Sequence, residues 1–260
     1  MAKIIRKSSK LERDYIAEKN RAFRVLKNGA FWLVGVLLGL VSSLFGGGFV
    51  GFLGVAIVGF FVLLVSTVVI FVHIIVAAYY FNKAEILRRG FKGETATAEI
   101  IATLPDSFVG FQNLVLTSGG KKSEIDLVVV GPTGVFVVET KNRKGKIVGN
   151  FDEREWVQCK IGRGGTPYKN EFYSPVKQVS THIYRLVGFL KENGLRTHVS
   201  GAVYFPSFET SLSLKGTPGD LPVFCASNGG KTALKNYILQ KDATLSPEYV
   251  AKLCALLKNT

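Results

Sequence analysis

The sequence predicts an α/β protein in which a mixed sheet flanked by helices follows a transmembrane α-helical hairpin. Three observations carry this. From Gly29 to Phe81, 53 residues pass without an Asp, Glu, Lys or Arg, too many for one membrane span and enough for two. Further on, two apolar runs meet at a Gly-Pro-Thr-Gly turn, with helical patterns on either side. Of the 260 residues, 47% are apolar and 20% charged, which excludes a disordered chain, a collagen and a disulfide-stapled mini-protein. The mean hydropathy of +0.25 is high for a chain with a net charge of +14, so the apolar residues must be concentrated in one place.

The uncharged stretch reads as two spans, about 29–46 and 50–75, with a helical extension to 81 and a turn at the triple glycine 46–48. Trp32 at one end and Tyr79 and Tyr80 at the other fit an aromatic belt on one side. Residues 1–28 form a basic N-terminal segment with nine Lys/Arg against three acids, and a basic amphipathic helix in it would carry Leu11, Tyr15, Ile16 and Phe23 on its apolar side. Lys83, Arg88, Arg89 and Lys92 follow the second span. With both flanks basic, the positive-inside rule puts both termini and the C-terminal domain in the cytoplasm, anchored in the inner membrane. Gly35, Gly39, Gly51 and Gly54 permit close helix packing, within the hairpin or between copies in a homo-oligomer. His73 reads as a packed or interfacial histidine.

Residues 82–260 are long enough for one domain, and from 83 onward they keep 24 Lys/Arg against 16 Asp/Glu. A helix is expected over 84–104, with Gly90 and Gly93 as possible breaks. Strands follow at 111–116, 124–130 and 135–141, and 146–148 and 155–160 extend the sheet. Residues 163–169 form a Gly-rich basic loop. A helix over 175–190 starts at Pro175, with Ser174 as its cap and Gly194 beyond its end. Strands at 199–205 and 221–226 and helices at 231–240 and 246–257 complete the pattern. Cys159, Cys225 and Cys254 lack metal-site spacing and read as reduced structural thiols; Trp156 reads as core.

The sharpest chemistry lies in 124–141. With period two, Glu124, Asp126, Val128 and Val130 share a face, as do Val135, Val137, Glu139 and Lys141. Both faces are apolar through most of their length, so four charges stand on a face that should be dry. If Gly131 and Gly134 flank a two-residue turn, Asp126 opposes Glu139 and Glu124 opposes Lys141. Carboxylates that close repel unless a proton or cation lies between them. Oxygen ligands at a strand end suit a hard cation such as Mg²⁺, and a nearby ammonium can orient water or stabilise a phosphate oxygen. Spacing alone serves a structural ion-pair cluster equally well.

Asp126 followed by Glu139-Thr140-Lys141 resembles the PD-(D/E)xK nuclease signature. Gly93-Glu94, the run SEIDLVVVGPTGVFVVETKN, Gly145-x-Ile147, Trp156 and SPVKQVSTHIYRL resemble the NERD (nuclease-related) domain over roughly 92–205. The resemblance implies a restriction-endonuclease-like fold and a Mg²⁺- or Mn²⁺-dependent nuclease. It implies Asp126 and Glu139 as metal ligands with the Thr140 carbonyl as a third, Lys141 as the catalytic lysine, Glu94 as the first-helix acid and Gln178 as the helix glutamine. Glu99 is the alternative acid on that helix. His182, one turn after Gln178, reads as a polar boundary residue. The stretch 141–169 also bears Arg143, Lys144, Lys146, Arg154, Lys160, Arg163 and Lys169, a basic rim that suits a solvated surface or the anionic surface of the lipid bilayer, or nucleic acid, DNA ahead of RNA, with Arg143, Lys144, Lys146, Arg163 and Lys169 as the candidate contacts.

Overall fold

The computed structural model describes residues 1–44, 49–162 and 164–260, so the turn expected at 46–48 and the Arg163 rim position lie outside the described residues. The chain divides into two compact units, Lys10–Arg88 and Met1–Ser9 with Arg89–Thr260.

The first unit consists of helix α1 (Lys10–Leu44) and the leading part of helix α2 (Phe49–Ala102). They run antiparallel and touch at small residues. A Cβ on Gly35 would lie 2.5 Å from Ser66 Oγ, and one on Gly39 would lie 3.0 Å from the Gly59 carbonyl oxygen. The Phe23 and Phe81 rings meet edge-on at 5.4 Å, and Lys83 Nζ lies 2.7 Å from Glu18 Oε1. His73 is packed: a Cβ on Gly29 would strike it, and its Nδ1 lies 2.8 Å from the Val69 carbonyl. The apolar windows of the two helices are only 11% buried within the protein, unlike a core helix. By length and composition, both helices can cross a membrane. Gly90 and Gly93 do not break α2.

The second unit is a mixed α/β domain. Its main sheet has the order β1-β2-β3-β4-β8-β10. The strands are β1 (Lys3–Arg6), β2 (Val109–Ser118), β3 (Lys121–Gly131), β4 (Gly134–Thr140), β8 (Val199–Phe205) and β10 (Val223–Cys225). The helix expected through Leu11 and Phe23 is the start of α1, and β1 ahead of it is an element the sequence reading did not place. Ala2, Ile4 and Ile5 pack into the domain, and β1 pairs parallel with β2. The β3–β4 register matches the sequence expectation from Gly131↔Gly134 to Leu127↔Val138, so two residues suffice for the turn.

The strands expected at 146–148 and 155–160 do not extend that sheet. β5 (Gly145–Asn150) and β6 (Glu155–Ile161) join β7 (Pro167–Tyr173) and β9 (Thr210–Lys215) in a second sheet of order β7-β6-β5-β9. The expected basic loop therefore ends at Pro167, and Lys169 lies on a strand. Trp156 seals this sheet onto the core; it is fully buried, with its indole N–H donated to the Asn150 carbonyl at 3.0 Å.

Helix α3 (Pro175–Glu192) covers one face of the main sheet over Val128, Val130, Val135 and Val137. Its first turn has Pro175, but Ser174 makes no cap bond: the Oγ is buried without a partner. It ends where Gly194 turns left-handed (φ +76°) and the Leu195 N–H reaches the Leu190 carbonyl at 2.9 Å. The end of α2, through Ile100 and Ile101, and Leu104 just beyond it cover the other face together with α4 (Gly230–Leu239). Helix α5 (Pro247–Lys258) packs on the α3 side, and its Ser246 cap accepts the Tyr249 N–H at 3.2 Å.

Candidate functional site

The site forms where the main sheet opens. The β3–β4 ladder stops at Leu127↔Val138, one pair short of the expected Asp126–Glu139 opposition, while β4 continues along β8 to Thr140↔Tyr204. On the other side of β3, the β2 ladder skips Asn113, which has a left-handed φ of +57° and donates its side-chain amide to the Lys7 carbonyl at 2.8 Å. Asp126 therefore lies at a gap in both ladders. Its Oδ2 accepts the Thr140 N–H at 2.9 Å, so the side chain takes the place of the missing strand bond. Glu124 does not oppose Lys141; it pairs across β2 with Val115.

Glu139 and Lys141 follow the apolar Val135 and Val137 on the face under α3. Lys141 Nζ donates to Glu139 Oε1 at 2.6 Å and to Gln178 Oε1 at 2.9 Å. Glu139 is 1% exposed. His182 Nε2 lies 3.4 Å from Glu139 Oε2, and His182 Nδ1 lies 3.2 Å from Ser123 Oγ. The Glu139–His182 contact is ionic in range but too long for a hydrogen bond, and Glu139 Oε2 has no hydrogen-bond partner. Thr140 turns to the opposite face, where its Oγ1 donates to Thr97 Oγ1 at 2.9 Å and Thr97 in turn donates to the Gly93 carbonyl at 3.0 Å. That chain ties the strand end to α2.

The carboxylates differ in environment. Burial pushes Asp126 well above its ordinary value, and the charges of Glu139 and Glu94 add to the rise. Burial also raises Glu139, but His182 and the Lys141 ammonium outweigh it and hold that carboxyl below its usual range. Glu94, on α2, is pushed up to about 7, first by burial and then by the charge of Glu124, against the Ser9 hydroxyl and Arg6. Its Oε2 is buried without a hydrogen-bond partner. Glu99 points to solvent, so Glu94 is the helix acid that shares a field with the strand carboxylates.

The structure thus gathers Glu94, Asp126, Glu139, Lys141 and Gln178 at one end of the sheet. It adds three residues not singled out for this role. His182 is buried against Glu139, a position signalled by its i, i+4 spacing from Gln178. Arg6 ends the N-terminal strand and Ser9 follows it, and no local pattern signals their approach to Glu94.

The expected basic rim divides by strand parity. Trp156, Gln158 and Lys160 alternate on the inward face of β6, while Lys146, Cys159 and Lys169 are cross-strand neighbours on the outward face. Arg143 is packed: its guanidinium lies 4.1 Å over the Phe172 ring, and Nη1 donates to Gln158 Oε1 at 3.1 Å. Lys144 is exposed and pairs with the exposed Glu209.

Among the described residues, no three His, Cys, Asp or Glu side chains come together as a metal cluster. The donors present still fit a cation that binds through one or two carboxylates and keeps its waters. Asp126 is raised by burial and then by neighbouring negative charge, and the buried Glu139 and Glu94 Oε2 atoms lack hydrogen-bond partners.

Residues 89–206 match the nuclease-related domain, NERD. An uncharacterized protein of Bacillus anthracis is 36% identical over 93 residues, which is 35% of this chain and 43% of that protein. The chain thus spans less than half the length of that relative. No solved structure gives a match. The matched segment runs from the α2 turn before Glu94 to just past the end of β8 and contains Glu94, Asp126, Glu139, Lys141, Gln178 and His182, so the candidate site lies in the part of the chain that is similar to the nuclease-related domain.

Proposed function

We propose that the protein is a membrane-anchored, metal-dependent nuclease that hydrolyses phosphodiester bonds of nucleic acid on the cytoplasmic side, with DNA the first substrate to test. One observation carries the reading: the Lys141 ammonium, fixed between Glu139 and Gln178, stands beside carboxylates that cannot all ionise comfortably without a cation.

Asp126, Glu139 and the Thr140 carbonyl are the groups that would hold Mg²⁺ or Mn²⁺. Such an ion supplies Lewis-acid stabilisation of phosphate oxygens and lowers the pKa of a coordinated water. Gln178 and Glu139 keep the Lys141 ammonium in place to orient water or offset charge on the phosphate. The Thr140 N–H and the Thr140–Thr97 bond fix the strand end that sets the Asp126–Glu139 spacing. Glu94, with a pKa near neutrality, is suited to exchange a proton with water at the site.

Basic flanks on both sides of the apolar helices support a cytoplasmic location for both ends. So does β1: it precedes α1 yet pairs with β2, which follows α2, so the chain returns to the side it left. A second reading is a tethered nucleic-acid-binding or scaffold module without turnover. It is favoured by the missing three-group metal cluster among the described residues and by the use of Asp126 Oδ2 in the Thr140 bond.

The test is nicking of supercoiled plasmid by the full-length protein in detergent micelles, with Mg²⁺ or Mn²⁺, with EDTA, and with Lys141→Ala. Metal-dependent nicking lost in Lys141→Ala is the expected result. Equal nicking by both proteins defeats the assignment, and binding without nicking establishes the second reading.

A further inference from the structure

Beside Lys141, three cations of the basic stretch 141–169, Arg143, Lys144 and Lys160, are joined by a fourth, Arg89, from outside it. Arg143 and Lys144 follow Lys141 and Asn142 beyond the end of β4. Arg89 joins them from α2: Asn142 Nδ2 donates to the Arg89 carbonyl at 2.6 Å, and a Cβ on Gly93 would sit 2.6 Å from Asn142 Cβ, so helix and strand end are in close contact. Lys160 arrives from β6, in the inward row after Trp156 and Gln158. The absent side chain of Gly145 leaves room for it, since a Cβ there would lie 3.3 Å from Lys160 Cγ. Gln158 links the group, accepting from Arg143 and donating to the Lys144 carbonyl at 2.6 Å.

The Arg143 guanidinium meets the amide of Gln158 and the ring of Phe172, both uncharged. The acid partner of Lys144 is exposed Glu209, a surface pair that exchanges readily. Burial lowers the Lys160 pKa, and the charges of Arg143, Arg89 and Lys144 lower it further. Like charges in one another's field cost energy that a bound polyanion lowers. Arg143 and Lys160 are only partly exposed, and Arg143 is held by Gln158 and Phe172, which suits a chain threading past them better than a flat lipid surface.

We propose that Arg89, Arg143, Lys144 and Lys160 form a phosphate lane that takes the sugar-phosphate backbone of a nucleic-acid strand and leads it to Lys141. The choice of ligand rests on the nuclease reading of the neighbouring site. Lys146 and Lys169, on the outward face, stand off the lane.

The test is binding of a fluorescein-labelled DNA duplex to the full-length protein in micelles, by anisotropy in EDTA across a salt series. Arg89→Gln and Lys160→Gln should each weaken binding several-fold and each reduce the slope of log affinity against log salt by about 0.9. Lys252→Gln on α5 is the neutral control. A second measurement, the melting temperature of each variant, separates lost contacts from lost fold. Unchanged slopes in Arg89→Gln and Lys160→Gln overturn the lane, as does transfer of the salt dependence to Lys146→Gln and Lys169→Gln. It is also overturned if Arg89→Gln and Lys160→Gln lose binding to phosphatidylglycerol vesicles while binding DNA like the wild type. Lane-dependent binding with no cleavage refutes the nuclease reading and keeps the lane; cleavage with binding indifferent to these variants does the reverse.

Discussion

Gly93→Ala tests how the site is held. The added methyl would lie 2.6 Å from Asn142 Cβ, 3.2 Å from Asn142 Cγ and 3.3 Å from Pro206 Cγ. Ordinary carbon contacts lie at about 3.5–4.0 Å, so Asn142 must retreat by roughly 1 Å. Overpacking of this kind costs ~1–3 kcal/mol, while replacing glycine inside a helix returns ~1 kcal/mol. The net loss of stability is therefore small, about 0–2 kcal/mol, or a few degrees in Tm for a domain of this size. Asn142 is the residue after Lys141, so the same displacement moves the ammonium off its Glu139 and Gln178 partners. A misplacement of ~1 Å at a reacting group costs on the order of 100-fold in rate. The assay is plasmid nicking beside thermal unfolding, with hydrogen exchange at residues 141–145 as a readout independent of turnover. Wild-type nicking and unchanged exchange in Gly93→Ala would refute the reasoning.

Two further predictions concern charge. Between pH ~4.5 and ~7 the unfolded Glu94 is ionised while the native one holds its proton, so raising pH through that window costs stability, up to ~3 kcal/mol by pH 8. In metal-free buffer Glu94→Gln should therefore melt with the wild type at pH 4 and above it at pH 8; equal melting at both pH values would show that the field around Glu94 is weaker than its burial indicates. Lys141→Ala removes a partner of the nearly sealed Glu139 and should cost roughly 3 kcal/mol, most of it restored by adding Glu139→Gln. Additive losses in that double variant would show that the two side chains are not coupled.

Much of the site was legible because it obeys period two. The β3–β4 register follows from Gly131 and Gly134, and parity places Glu139 and Lys141 under the helix that carries Gln178. What parity cannot show is where a ladder ends. The split after Leu127, with Asn113 left-handed on the neighbouring strand, replaces the expected Asp126–Glu139 opposition with a bond from Asp126 to the Thr140 backbone. The second sheet was missed because its pairing of β5 with β9 spans more than sixty residues of sequence and leaves no local trace. The basic stretch 141–169 is legible as a group, but its division is not: alternation from Trp156 through Gln158 sets Lys160 on the inward face of β6, while Lys146 and Lys169 fall on the outward one.

The N-terminal strand changes what counts as the domain. Ala2 is buried and donates its N–H to the Leu104 carbonyl at 2.8 Å; Ile4 and Ile5 pack on opposite faces of the sheet, and the Ser9 hydroxyl reaches Glu94. The apolar helices are thus inserted between the first and second strands of one sheet, and a fragment that starts at residue 82 lacks an edge strand and part of the surroundings of Glu94. Burying two half-covered isoleucines contributes roughly 2–4 kcal/mol, a large share of the 5–15 kcal/mol that holds a typical domain together. Deleting residues 2–6 from the full-length chain should therefore lower its domain melting temperature by about 5–15 °C, and Ile4→Ala by a smaller step in the same direction. A synthetic peptide of residues 1–9 should recover part of the loss, because the edge of β2 is then open to a parallel partner. If the shortened chain melts like the full one, β1 contributes nothing to the fold, and the argument that both ends of the helical pair lie on one side of the membrane loses its structural half.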